Sequence, residues 1–195
     1  MVEQLSPLAP VLRHGRFGST ADQAGVTLSE VAPGSIVQVA AWHGSEAAII
    51  DAIWKATDLE LSTAPGHGVV AKSMSGFGVG PRKFLLVSDE EGLAQRLQKA
   101  IPNSIGAVTD LSHGRTALRI SGPKAEWILA KLFAIDFSAQ AFPMSAGLST
   151  KHHEIFAQIQ RTDAQSFDIY VFRSFARSFW TSLQHAAEEV GYEVA

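Results

Sequence analysis

Cysteine is absent from the 195 residues. That excludes disulfide frameworks, thiolate-ligated zinc or iron–sulfur centres and thiol nucleophiles. Charge is sparse: Asp, Glu, Lys and Arg make up 18% of the chain, and 16 Lys plus Arg stand against 19 Asp plus Glu, for a net charge of −3. No basic excess is available to neutralise nucleic-acid phosphates or anionic lipid. Long hydrophobic runs are missing as well: residues 36–42 and 47–50 fall far short of the roughly 20 residues of a membrane span. The opening Met-Val-Glu-Gln-Leu-Ser-Pro-Leu-Ala-Pro has no basic stretch ahead of an apolar core. No secretory signal is expected, and the cytoplasm is the expected location.

What is present is apolar material, 46% of the chain, with 11 Phe and 4 Trp. A chain of this length folds as one large domain or two small ones and buries about 70% of the surface its unfolded form exposes. Residues 1–30 are rich in Gly, Ser, Pro and Ala and show no sustained period, so they read as an arm around His14-Gly15-Arg16-Phe17-Gly18. Residues 35–42 read as a strand, and Ser45 is expected to cap a helix over 46–57 with Ala47, Ile50, Ile53 and Trp54 at helical spacing. Residues 63–81 hold five glycines and two prolines and are expected to be loop. Residues 83–88 read as a strand, and a helix capped by Ser88 or Asp89 runs to Ala100, where Pro102 stops it.

A second pass of similar grammar follows. Residues 116–120 read as a strand, and Ser121-Gly122-Pro123 opens a helix to Phe133. Two alternating strands around Ile155-Ile159 and Phe167-Val171 are joined closely enough to be a hairpin, and a strongly amphipathic helix spans 175–190. The order βαβα then βαββα predicts an α+β fold of two successive split-βαβ (ferredoxin-like) halves with mostly antiparallel sheets. The expected division is an arm over 1–30, a first half over 31–103 and a second over 104–195, making one compact domain overall.

No constellation reads as an active site. Gly76-Phe-Gly78-Val-Gly80-Pro81 lacks the following helix N-terminus of a phosphate loop, so its glycines serve loop conformation or close packing. His152 and His153 are neighbours on a strand start and point to opposite faces, so with Glu154 they are not expected to share a metal. Asp110, Ser112 and His113 are too close in an extended segment to converge as a triad; Asp110 and Ser112 are better suited to brace a turn. Arg115 and Arg119 share a strand face and suit a carboxylate partner. Arg173-Ser-Phe-Ala-Arg177-Ser-Phe179-Trp180 mixes cations and rings, which fits core rings with snorkelling arginines. No catalytic, cofactor-binding or metal residue is expected. The residues expected to touch a partner are Arg16 and Phe17 in the arm, the loop 64–81, and the aromatics Phe77 and Phe142 as exposed rings.

Two long segments nevertheless resemble a known family. Gly106-Ala-Val-Thr-Asp-Leu-Ser-His-Gly-Arg-Thr-Ala-Leu-Arg-Ile-Ser-Gly-Pro-Lys-Ala, with the helix to Leu132, is similar to the central signature of the gamma subunits of heterotetrameric sarcosine oxidases. Phe167-Asp-Ile-Tyr-Val-Phe-Arg-Ser-Phe-Ala, running into Phe179-Trp180 and Leu183, resembles their carboxy-terminal signature. Gly80-Pro81 before residues 84–87, and residues 26–39 with their Pro33-Gly34 turn, also fit. The resemblance implies a complex of alpha, beta, gamma and delta subunits that demethylates sarcosine oxidatively to glycine. It yields hydrogen peroxide and, with tetrahydrofolate, methylene-tetrahydrofolate. FAD, covalent FMN, NAD, folate and zinc would be held by the other subunits, and this chain would contact chiefly alpha. Related complexes act on other N-methyl amino acids.

The gamma fold is similar to the folate-binding part of glycine-cleavage aminomethyltransferases. Those enzymes carry acids near the loop before the strand equivalent to residues 84–87, and a Glu before a later strand that helps hold the pterin. Here the first loop reads Gly78-Val-Gly80-Pro81-Arg82, and the second region reads Arg161-Thr-Asp-Ala-Gln-Ser-Phe167, with Asp163 its sole acid. Losing carboxylate partners for a pterin edge leaves donors unpaired at about 1–3 kcal/mol each, so folate binding is not expected. The alternatives are a folate-dependent aminomethyltransferase-like protein acting alone, a gamma-type subunit of a related N-methyl amino acid dehydrogenase, and a scaffold that has changed partner.

Overall fold

The computed structural model describes residues 5–19 and 23–195, and among them are twelve strands and four α-helices. The first stretch holds β1 (Gly15–Phe17), β2 (Val26–Val31), β3 (Ser35–Ala41), α1 (Glu46–Thr57), β4 (Gly68–Val70), β5 (Met74–Gly80) and β6 (Lys83–Ser88). Next come α2 (Leu93–Ala100), β7 (Gly106–Asp110), β8 (Arg115–Ser121) and α3 (Ala125–Leu132). The chain finishes with β9 (Gly147–His152), β10 (Ile155–Asp163), β11 (Ser166–Phe172), α4 (Ala176–Ala187) and β12 (Tyr192–Val194). None of these helices is long and apolar enough to cross a membrane. The mixed α and β content and the predominantly antiparallel pairing agree with the expected fold class.

The chain divides into two compact units. One takes the described residues up to Val31, with His113–Met144 and Thr150–Ala195; the other takes Ala32–Ser112 and Ser145–Ser149. The second unit carries the five-stranded antiparallel sheet β4-β5-β6-β3-β7. Val37, Val39 and Ala41 alternate on β3, Phe84 and Leu86 on β6, and all five pack in one cluster with Ile49 and Ile53 of α1 and Leu93 and Leu97 of α2. Both helices therefore cover the same sheet face. The other unit is built on the seven-stranded order β1-β12-β2-β8-β11-β10-β9, in which β12 pairs with β2 in parallel. Its core is aromatic: Phe137 lies 5.4 Å from Phe142 and 5.7 Å from Phe167, and Phe133 lies 5.9 Å from Phe179.

Several local expectations change. The boundary expected at 103–104 falls at 112–113, because β7 hydrogen-bonds to β3 and so belongs with the elements before it. Much of the supposed arm is sheet: β1 pairs with β12, and β2 lies between β12 and β8 with Val26 and Leu28 buried. The glycine-rich stretch is largely strand, since β5 pairs residue by residue with β6 through backbone groups that need no side chain. Ser45 occupies the first cap position of α1 without a side-chain cap. The cap of α2 is Gly92 in the left-handed region at φ 88°, and the hydroxyl that receives the Leu93 N–H, at 3.3 Å, belongs to Ser35. A cap borrowed from 58 residues away leaves no local trace. Pro102 does follow a helix that stops at Ala100.

Candidate functional site

A cavity of about 470 Å³ lies within the unit built on β3–β7. Its walls come from residues 62–66, the β5–β6 hairpin at 78–82, Phe84, and residues 147–149. Backbone economy shapes it. A Cβ on Gly147 would stand 2.3 Å from Cγ and Cδ2 of Phe77, so only glycine lets this strand pass over the buried ring. The Gly147 N–H donates to the Gly66 carbonyl at 3.2 Å, and the Ser149 hydroxyl donates to the Val79 carbonyl at 2.9 Å. Arg82 sits at the hairpin turn with φ 61°, exposed, and forms no ion pair among the described residues.

The lining is glycine, proline, alanine, valine, leucine, one ring edge, three hydroxyl residues and one guanidinium. It can enclose an apolar group and offer hydroxyl hydrogen bonds. It contains no carboxylate to accept from a donor-rich ring edge and no imidazole or carboxylate to move a proton. The residues present therefore do not fit a pterin gripped by acids. Asp163, the other expected acid, is an exposed residue of the β10–β11 hairpin, and its Oδ1 accepts the Ala164 N–H at 2.6 Å.

The remaining candidates have structural roles. Ser112 Oγ donates to Asp110 Oδ1 at 2.6 Å and accepts the Ile36 N–H at 3.0 Å, bracing the turn after β7 as expected. His152 hydrogen-bonds the Leu132 carbonyl through Nδ1 at 2.9 Å, while His153 turns the chain with φ 51°. No group of three metal-ligating side chains occurs among the described residues. Arg119 finds its carboxylate in a two-point pair with Asp168 on β11, at 2.6 and 2.9 Å. Arg115 does not share it: its guanidinium stacks on Phe172 at 3.6 Å, buried, and desolvation pulls its pKa below the ordinary arginine value.

Two expected contact residues must be corrected. Phe77 is 0% exposed and Phe142 3%, so neither ring faces outward. Gly147 packs directly on the Phe77 ring, whereas a Cβ on Gly78 or Gly80 would meet nothing within 4 Å. Phe17 keeps 37% exposure, stacked 5.4 Å from Tyr192, and lies with Arg16 along a shallow cleft that also includes Gly18, Ser19 and Gly191. Sequence reasoning missed Arg161, whose side chain is 2% exposed. It donates to Glu126 Oε1 at 2.7 Å, to the Ala164 carbonyl at 2.6 Å and to the Phe137 carbonyl, and lies over the Phe167 ring. An arginine continuing the apolar face set by Ile155, Ala157 and Ile159 is the one signal that could have exposed it.

Comparisons with known proteins converge. The model of the Sarcosine oxidase, gamma subunit family matches residues 42–189. Sarcosine oxidase subunit gamma of Corynebacterium sp. (strain U-96) is 33% identical over 174 residues, covering 87% of this chain and 83% of that protein. The solved structure of heterotetrameric sarcosine oxidase from Corynebacterium sp. U-96, in complex with pyrrole 2-carboxylate, contains a chain similar to this one. It has a TM-score of 0.81 and 29% identity, with 95% of each chain covered. Glycine cleavage system aminomethyltransferase T from Bartonella henselae matches at a TM-score of 0.68 and 15% identity, over 99% of this chain and 60% of that one, a likeness of fold alone.

Proposed function

The chain belongs to the sarcosine oxidase gamma subunit family, and on that premise we propose that it is the non-catalytic gamma subunit of a heterotetrameric sarcosine oxidase. The assembly demethylates sarcosine oxidatively to glycine, and this chain contributes binding surface rather than chemistry. Its partners are alpha, beta and delta subunits, chiefly alpha, working in the cytoplasm. FAD, FMN, NAD, tetrahydrofolate and zinc belong to those partners, and no cofactor to this chain. Arg16 and Phe17 are part of the contact surface.

One observation carries this reading: the cavity beside the β5–β6 hairpin is lined by small and hydroxyl side chains, with Arg82 as its only charged group. A pterin recognised there would find no carboxylate to accept from its ring-edge donors, and each donor left unpaired would cost about 1–3 kcal/mol. The exposed apolar side chains support a binding role. Trp42, Trp54 and Trp127 are each nearly half exposed, and large rings are the side chains that interfaces enrich.

The test is co-expression with the other three subunits, followed by size-exclusion chromatography and a sarcosine oxidation assay. The chain should elute with the assembly, and alone it should be colourless and turn over no sarcosine. Titration with tetrahydrofolate, followed by calorimetry and tryptophan fluorescence, should show no saturable binding. A flavin held by the isolated chain, or folate bound at micromolar strength, would refute the reading.

A further inference from the structure

Three arginines gather at the start of α4, within one unit of the chain. Arg173 and Arg177 stand one helical turn apart. The Arg173 N–H donates to the Gly114 carbonyl at 3.0 Å, which brings it beside Arg115. Arg115 and Phe172 are register partners on β8 and β11, and the guanidinium lies flat on the ring. The amino-terminal stretch crosses this ground: Arg173 donates to the Leu5 carbonyl and Arg177 Nε to the Pro7 carbonyl at 2.8 Å. Around the cations, Leu5 is 70% exposed, and Phe172 and Phe175 are about 40% exposed.

Among the described residues the charge here is uncompensated. None of the three arginines has a carboxylate within ion-pair distance among the described residues. Glu30, on the neighbouring strand β2, accepts the Ser6 hydroxyl instead. The first turn of α4 contains no acid, so the positive end of the helix dipole adds to the field rather than being offset. Arg115 is the independent observation. It is 8% exposed, and its Nε is enclosed with no hydrogen-bond partner. A cation taken that far out of water without a counter-charge is a cost the free chain carries. A carboxylate delivered to the patch would relieve it.

We propose that the patch formed by Arg115, Arg173, Arg177, Phe172, Phe175 and Leu5 is the docking surface for an acidic segment of another subunit, one that carries Asp or Glu beside an apolar side chain. The inference rests on the subunit reading above. Carboxylates pair with the guanidiniums while the apolar side chain covers the rings. A second copy of this chain would bring like charges together. A nucleic acid is a poor match for a chain of net charge −3 whose cations number three at this site.

The test measures association of the full chain with the purified remaining subunits. The double variant Arg173→Glu/Arg177→Glu, at a half-buried and an exposed position, should weaken association about ten-fold or more. Lys151→Glu, an exposed charge reversal elsewhere in the same unit, should leave it unchanged. Arg115→Met keeps the volume and removes the buried cation. It should weaken association while the thermal midpoint of the free chain stays level or rises, a pairing that a merely structural arginine would not produce. If wild type associates and the variants associate equally well, the surface is refuted while the subunit reading stands. If wild type does not associate at all, both fall. Self-association of the free chain that the double variant abolishes, or tighter binding of a single-stranded oligonucleotide than of the subunits, would also overturn the proposal.

Discussion

Replacing Arg161 tests how the aromatic unit is held together. Its side chain is almost wholly enclosed, whereas Glu126, its charged partner, is 42% exposed. The ion pair is therefore partly solvated at one end, and its Coulomb contribution falls well short of that of a fully buried pair. More of the stabilisation comes from the fork, which donates to two carbonyls of separate segments, Phe137 and Ala164, while its flat face lies 4.5 Å from the Phe167 ring centroid. Arg161→Ala removes all of these and leaves a void, at a cost of about 3–5 kcal/mol. For a chain of this size that lowers the thermal midpoint by roughly 6–20 °C. Arg161→Met keeps the stem packing and removes the cost of burying the charge, so its loss is smaller, about 1–2 kcal/mol. Arg161→Lys keeps the charge but cannot reach three acceptors in a plane, and it falls between the two. Urea unfolding followed by ellipticity and by tryptophan fluorescence gives the order. An alanine variant losing less than about 1 kcal/mol would show that the hub contributes little.

Other perturbations act on single contacts. Gly147→Ala forces a methyl group into the Phe77 ring at 2.3 Å, and the overpacking should cost about 1–3 kcal/mol, read from the urea midpoint. Ser112→Ala leaves the buried Ile36 N–H without its acceptor, again about 1–3 kcal/mol, whereas His113→Ala, at an exposed position beside it, should change stability little. Burial, and then the nearby Glu188 charge, hold the Tyr192 phenol pKa above its usual value, partly offset by a hydrogen bond with Gln184. The fold thus favours the neutral phenol, so this contribution is complete below the ordinary phenol range near pH ~10 and is lost as pH rises through the raised value. Unfolding midpoints measured up to strongly alkaline pH should fall less steeply in Tyr192→Phe than in wild type.

Periodicity made much of the architecture legible. α4 announces itself through Phe179, Trp180, Leu183 and Ala187, all buried in the structure, and β10 and β11 through strict alternation on either side of a short turn. β5 was hidden because Gly76, Gly78 and Gly80 carry no strand propensity, although backbone pairing to β6 needs none. β1 and β12 are short and find each other from opposite ends of the described chain, so no local pattern marks either. The same contrast governs the candidate sites. Asp110 and Ser112 are two residues apart, and their brace could be read from spacing. The carboxylate for Arg119 had to come from a residue 49 positions away, and spacing names the need without naming Asp168. Phe77 and Phe142 misled because what buries them is distant in sequence: Gly147 passes over Phe77, and Phe142 packs on Phe167.

Charge distribution ties the arginine patch to a preferred orientation of docking. The formal net charge of −3 includes Arg115, Arg173 and Arg177, so the rest of the chain carries −6. An acidic partner segment is therefore repelled by the average surface and attracted only where the guanidiniums outweigh it. Repulsion everywhere else narrows the productive approaches, which is how opposed charges deliver specificity more than affinity. The final contact then depends on rings and stems that shed water: Arg115 covers one face of Phe172 at 3.6 Å, which positions the ring, and the ring stays 42% exposed. A pre-positioned ring loses little side-chain entropy on binding. The buried cation beneath it thus serves the docking geometry, at a cost to the free chain, and the opposite responses expected of Arg115→Met in association and in stability follow from that division.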